Sequence, residues 1–322
     1  MPVRTQAEII SSARGWRGGL PGAFAGNGPA LAKKRNAAAA AQGQPNAEII
    51  SVWVLIVVSL LTLVWASAVG ANEDDSLEVV VAGHSQRYSR ADLEHKITTH
   101  TLTVADPDHD APVRYDAFAL TDVLALAGGT AGHGDELVLE ARDGYAPTVA
   151  YSALASQEAF LAFREHGNPA GFGLVKQGRT MVSPAPYFLV WRAGKSLGAD
   201  FPWPYQLIRI EVVDFATKYA ALYPHGETGD GPELRGFRTF KSQCLRCHSV
   251  NLQGGSLGPE LNVPKNVTEF WNEAHLRAFI HDASAYHARS KMPSFVGVLS
   301  AAKVDDLLAY LHLMKTRKIQ TP

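Results

Sequence analysis

The sequence predicts an α+β domain followed by an all-α domain, preceded by a single apolar helix near the N-terminus. Three observations predict this. Residues 49–71, IISVWVLIVVSLLTLVWASAVGA, carry no charged side chain, a run long enough to span a bilayer as a helix. Between about 76 and 215, period-two apolar stretches alternate with short helix-capping patterns, as in a mixed α and β unit. From about 230 to 320 the strand pattern ends and apolar residues recur at helical spacing.

The leader, residues 1–48, holds Arg4, Arg14, Arg17, Lys33, Lys34 and Arg35 against Glu8 and Glu48, and includes the low-complexity run NAAAAAQGQPN. NEDD follows the apolar segment. Basic residues before and acidic residues after such a segment place the bulk of the chain outside the membrane. Segment 49–71 is therefore expected to be a transmembrane anchor or a signal segment. Ala66-Ser67-Ala68 and Val69-Gly70-Ala71 both read as small-residue cleavage sites, whereas so long a basic leader favours a retained anchor.

In the domain expected over 76–215, LEVVVAG and ITTHTLTV read as strands. Ser89 in SRADLEH and Thr121 in LTDVLALAGG read as helix caps. ELVLEARDGY reads as a half-buried strand turning at Asp143-Gly144, and PYFLVWRAG and YQLIRIEVVDF supply the last strands. A linker is expected over 216–229, where LYPHGETGDGPE, residues 222–233, begins and is rich in Pro and Gly. Asp106, Asp108 and Asp110 around His109 read as solvated loop residues, with a metal site as the sharper alternative. Arg142, Tyr145 and Arg192 would suit an anion if the fold gathered them.

A composition of 46% hydrophobic and 19% charged residues fits globular domains. The net charge of −1 conceals a division. Residues 72–225 hold 12 basic and 20 acidic side chains, −8, whereas 226–322 hold 12 and 9, +3. Opposite fields of this kind orient domains or steer a charged partner. No basic stripe of the sort that binds nucleic acid is present.

The chain has two cysteines, Cys244 and Cys247, followed at once by His248 in CLRCH. A dithiol redox pair belongs between a strand and a helix, and this region has no strand pattern. A zinc site needs two further ligands at short spacing, and none lies nearby. Cys-x-x-Cys-His fits covalent c-type haem attachment, with His248 under the iron. Met292, held extended by Pro293, is the expected second axial ligand. Met314 instead continues the apolar stripe Val304, Leu307, Leu311 of a helix opening near Ser300.

With these motifs in order, residues 230–320 resemble a class I c-type cytochrome domain. The residues that carry the resemblance are Gly236 and Phe240 before CLRCH, the GGSLGPEL loop, EAHLRAFIHDA, KMPSF and Tyr310. It implies that Gly236 and Phe240 meet Tyr310, that the Pro259 carbonyl orients His248, and that one haem c is bound by Cys244, Cys247, His248 and Met292. Since such haem is attached outside the bacterial cytoplasmic membrane, the implied location is its periplasmic side, either tethered by 49–71 or released after cleavage.

Residues 76–215 resemble the molybdopterin-binding domain of sulfite oxidase-like proteins, through YDAFALTDVLALAGG, DELVLEARDGYAPTVAYSAL, SPAPYFLVW and IRIEVVDF. That family holds molybdenum through a cysteine thiolate, and no cysteine lies in this region. The expectation is therefore a fold without molybdopterin. The whole chain then reads as an electron carrier exchanging electrons with redox protein partners, its middle domain serving docking or ligand binding. The alternative is an oxidoreductase whose middle domain oxidises a small substrate and passes electrons to the fused haem.

Overall fold

The computed structural model describes residues 75–129, 135–177, 180–198, 201–288 and 290–320. The expected apolar helix over 49–71 lies outside the described residues. Among the described residues, no helix is long and apolar enough to cross a membrane.

The first domain is built on two sheets. β1 (Leu77–Val81), β2 (His84–Tyr88), β5 (Asp135–Ala141), β6 (Thr148–Ala150) and β11 (Leu207–Asp214) form a five-stranded sheet in the order β2-β1-β11-β5-β6. β3 (Thr99–Val104), β4 (Val113–Ala119), β7 (Ala159–Glu165) and β10 (Phe188–Trp191) form a second sheet in the order β10-β7-β4-β3. β8 (Val175–Gln177) and β9 (Thr180–Val182) make a separate hairpin. Among these pairings, β1 with β11 is parallel. It joins the first strand of the domain to the last, so the sheet closes only when the whole domain has been made. Residues of both sheets meet in one buried cluster that includes Leu77, Ile210, Phe118, Leu161 and Trp191. Phe118 and Phe163 stack at 4.6 Å within it.

Short helices punctuate the strands. α1 (Arg90–Lys96) is capped by Ser89, whose hydroxyl accepts from the Asp92 N–H at 3.1 Å while the Asp92 carboxylate accepts from the Ser89 N–H at 3.0 Å, a reciprocal capping box. Thr121 is no cap. α2 (Leu120–Leu126) starts directly from the end of β4 at Ala119 without a side-chain cap. Burial of Leu120 fixes its start instead. α3 (Tyr151–Gln157) lies between β6 and β7.

Two polar knots are buried in this domain. Asp106 is fully buried, accepting from the Tyr115 hydroxyl at 2.8 Å and bonding His109 Nδ1 at 2.9 Å. Asp106 and His109 are thus structural residues rather than solvated ones, because an aspartate on the floor of this loop must be satisfied internally. Asp116 accepts from Thr101 Oγ1, Arg164 Nε and His166 Nδ1 at 2.7–2.8 Å. Of the three residues that would suit an anion, Arg192 pairs with Glu158 and Tyr145 is buried.

The first part of the expected linker is packed. α4 (Phe215–Lys218) leads into a 3₁₀ turn over Ala220–Leu222, and Phe215, Tyr219 and Leu222 are buried among the residues of the C-terminal domain. That domain packs α5 (Pro232–Thr239), α6 (Glu273–His281) and α7 (Ala301–Lys315), the last capped by Ser300. α5 crosses α7 at Gly236, where a Cβ would sit 2.0 Å from the Asp306 carbonyl oxygen and 2.8 Å from Tyr310 Cβ. Only glycine permits this approach. Phe240 packs on Tyr310 at 5.4 Å, and the Tyr310 hydroxyl donates to the Leu222 carbonyl at 2.9 Å. Contrary to an all-helical expectation, β12 (Ser249–Val250) and β13 (Gln253–Gly254) form a two-residue ladder. Asn251 and Leu252, both at positive φ, make its turn.

Candidate functional site

α5 runs into a π-helical turn over Phe240–Cys244, a wider coil often found at functional sites. It delivers Cys244, Cys247 and His248 to the wall of a cavity of about 650 Å³, within the range of small-molecule and cofactor sites. Met292 and Pro293 line the same cavity, with Leu257, Gly258, Trp271, Phe279 and Phe295. Residues expected to act together, Cys244, Cys247, His248, Pro259 and Met292, are therefore gathered around one space.

The His248 ring is held from two sides. Its Nδ1 lies 2.9 Å from the Pro259 carbonyl oxygen. A carbonyl can only accept, so Nδ1 carries the proton and Nε2 keeps its lone pair. Gly258 lies against the ring face, where a Cβ would come within 2.6–3.0 Å of three ring atoms. Burial lowers the pKa of His248, which favours the neutral imidazole that a metal ligand requires.

Burial pushes both thiols up to about 12, with Arg246 opposing. A redox dithiol or a zinc-binding pair relies on accessible thiolates at lowered pKa. These cysteines have the opposite environment. Among the described residues no group of three or more His, Cys, Asp and Glu side chains converges as a metal site; the cavity wall holds two thiols, the oriented imidazole of His248, the thioether of Met292 and the further imidazole of His287. That set fits a haem held through thioether links, with His248 and Met292 available to the iron.

The Met292 loop is positioned by backbone bonds. The Met292 N–H donates to Ser290 Oγ at 3.1 Å, and the Phe295 N–H donates to the His281 carbonyl at 2.8 Å. An aromatic tier covers one side of the cavity, with Trp271 against Phe279 at 4.8 Å and Phe279 against His287 at 5.9 Å.

Sequence reasoning missed an asparagine ladder beneath the site. Asn262 Nδ2 donates to Asn251 Oδ1 at 2.7 Å and to the Met314 carbonyl at 2.9 Å. Asn266 Nδ2 donates to Asn262 Oδ1 at 2.7 Å and to the Leu311 carbonyl at 3.0 Å. Asn262 and Asn266 are fully buried. The ladder ties the loop after Pro259 to the C-terminal turns of α7. Asparagines in a Pro/Gly-rich loop ordinarily signal turns, so nothing in the sequence marked these as buried. Gly258 and the aromatic tier were also missed; the glycine next to Pro259 was the one available signal.

The sequence model of the family described as cytochrome c oxidase, cbb3-type, subunit III matches residues 231–311. Cytochromes c of Theileria parva and Theileria annulata are each 30% identical over 100 residues, a region covering 26% of this chain and 85% of theirs. The span of the family model includes CLRCH and the Met292 loop.

Proposed function

The chain belongs to the cytochrome c family through its C-terminal domain, and on that premise we propose that it carries single electrons through one covalent haem c with His248 and Met292 as axial ligands. The observation that carries this reading is the shared cavity of Cys244, Cys247, His248 and Met292, with the imidazole already oriented by Pro259. When bound, the haem supplies one-electron chemistry, and a thioether ligand raises its potential. The chain's own residues attach it, hold the imidazole in one tautomer, and surround it with Trp271, Phe279 and Phe295. The partners are redox proteins, a reading supported by the family's description as an oxidase subunit.

The uncharged segment 49–71 behind a basic leader supports tethering at the periplasmic side of a membrane. The two-sheet domain, sulfite oxidase-like in its sequence pattern, serves docking or ligand binding without molybdopterin, because both cysteines of the chain belong to the haem motif. A second reading makes that domain a substrate-oxidising unit. It is favoured by a polar cavity of about 340 Å³ at the domain junction, lined by Glu140, Arg209, Glu211 and Lys218 from the sheet side and Gln253 from the other.

The test is a pyridine haemochrome spectrum with mass spectrometry of the denatured chain. One attached haem is expected, and Cys247→Ser should reduce the attachment to a single thioether. A chain carrying no covalent haem refutes the proposal. Metal analysis and haem reduction on adding sulfite separate the two readings of the sheet domain.

A further inference from the structure

The sheet domain packs behind Cys247 and Leu257, two residues of the cavity wall. The turn between β5 and β6, Asp143 to Ala146, lies on the attachment segment. The Ala146 N–H donates to the Arg246 carbonyl at 2.8 Å, and the Ser256 N–H donates to the Gly144 carbonyl at 3.0 Å. Gly144 has φ +87°, and a Cβ there would lie 2.3 Å from Ser256 Oγ and 3.2 Å from the Leu257 nitrogen. The turn could not sit so close with any other residue.

Side chains reinforce the contact. Tyr145 is 2% exposed, and its hydroxyl accepts from the guanidinium of Arg246, the residue before Cys247. Cys247 and Leu257 pack against the sheet domain's cluster, whereas Cys244 belongs to the C-terminal one. Glu136 of β5 pairs with Lys241, and Val138 and Ala146 pack against the C-terminal domain's cluster. Asp143 of the turn and Lys291 of the C-terminal domain attract each other as opposite charges. At Cys247 the sheet domain contributes apolar packing, with Tyr145 in the cluster that Cys247 rests on, and such packing excludes water.

We propose that the Asp143–Ala146 turn is a positioning element of the haem site, keeping the Cys247 side dry and thereby raising the haem potential above that of the C-terminal domain with this side open. The inference rests on the covalent-haem reading above. Burial and hydrogen bonding around a haem are recognised determinants of its potential, and desolvation favours the less charged form of a redox centre as it does of a titrating one.

The experiment uses the full chain with Tyr145→Ala, Tyr145→Phe, and the double variant Glu136→Ala with Lys241→Ala, which loosens the same edge from outside the turn. Haem content, the long-wavelength iron–thioether band and the midpoint potential are read on each. Tyr145→Ala and the double variant should keep the haem and the band while the potential falls by about a tenfold shift of the one-electron equilibrium, 59 mV. Tyr145→Phe, which keeps the shielding ring, should remain near the parent. Potentials within a twofold shift of the parent in both opening variants overturn the proposal, and so does a loss of haem without a shift in the molecules that retain it. A parent chain without covalent haem would overturn the underlying reading instead, a result visible before any variant is made.

Discussion

The two domains store their chemistry differently. In the C-terminal domain most of the decisive groups are near neighbours in sequence: Cys244, Cys247 and His248 share one turn, and the carbonyl that orients His248 comes from Pro259, with Met292 alone supplied from farther along the chain. In the sheet domain the polar groups that matter are gathered from afar. Asp116 on β4 is satisfied by Thr101 on β3 and by Arg164 and His166 from β7 and beyond, and Asp106 by Tyr115 across a loop. The first arrangement survives as a motif that can be read locally. The second exists only once the sheets have formed, and it stabilises a scaffold without advertising a site.

The largest effect should come from breaking the helix crossing on which the motif depends. Gly236→Val places methyl groups where the Asp306 carbonyl and Tyr310 already stand. It should cost upwards of about 3 kcal/mol, as severe overpacking does. Loss of haem incorporation together with the C-terminal unfolding transition in calorimetry would show it. A normally loaded Gly236→Val protein would mean the crossing is looser than described.

Removing a rung of the asparagine ladder should come next. Asn262→Ala removes three buried hydrogen bonds, to Asn251 Oδ1, to the Met314 carbonyl and from Asn266 Nδ2, although the first two acceptors keep the Ile319 and Arg317 N–H groups, at a cost of about 2–3 kcal/mol. Denaturant unfolding followed by haem absorbance measures this, and the spectrum of the folded protein should stay unchanged.

The sheet domain can be attacked at Asp116. Burial alone would raise its pKa, but the bonds from Arg164, His166 and Thr101 hold it down to about 2. A carboxylate depressed in the folded state contributes stability above its unfolded pKa, near 4, and loses it as pH falls through the folded value. Acid should therefore weaken this domain progressively between about pH 4 and pH 2. Asp116→Asn should flatten that dependence and cost about 2 kcal/mol at neutral pH, read by the amide signal at fixed denaturant. An unchanged acid profile would remove Asp116 from the account.

The smallest effect is expected for Tyr310→Phe, which keeps the ring against Phe240 and gives up the bond to the Leu222 carbonyl. About 1–2 kcal/mol should be lost, with haem content intact. Because Leu222 follows the last helix of the segment joining the domains, this variant also reports how firmly that segment is held.

Legibility followed the same division. The haem motif, the Met-Pro dipeptide and the helix opening near Ser300 could be read because each depends on residue type at short spacing or on one helix face, whereas the Gly236–Tyr310 crossing was implied only by the resemblance to class I cytochromes. Ser89 was legible as a cap and Thr121 was not, since the start of α2 is set by the tertiary burial of Leu120 rather than by a local hydrogen bond. Lys241 and Arg246, on either side of Cys244, face the sheet domain. Their role depends on an interface that no pattern within one domain encodes. Asp143-Gly144 was recognised as a turn, but that it closes over Cys247 could be learned only from the packing.

The central claim, that the thioether of Met292 completes the coordination begun by His248, is tested most directly by the optical spectrum of oxidised Met292→Ala protein beside the parent. The account predicts a long-wavelength iron–thioether band in the parent, absent from the variant, with covalent haem retained in both and a lowered midpoint potential in the variant. A band of undiminished intensity in Met292→Ala would contradict the claim.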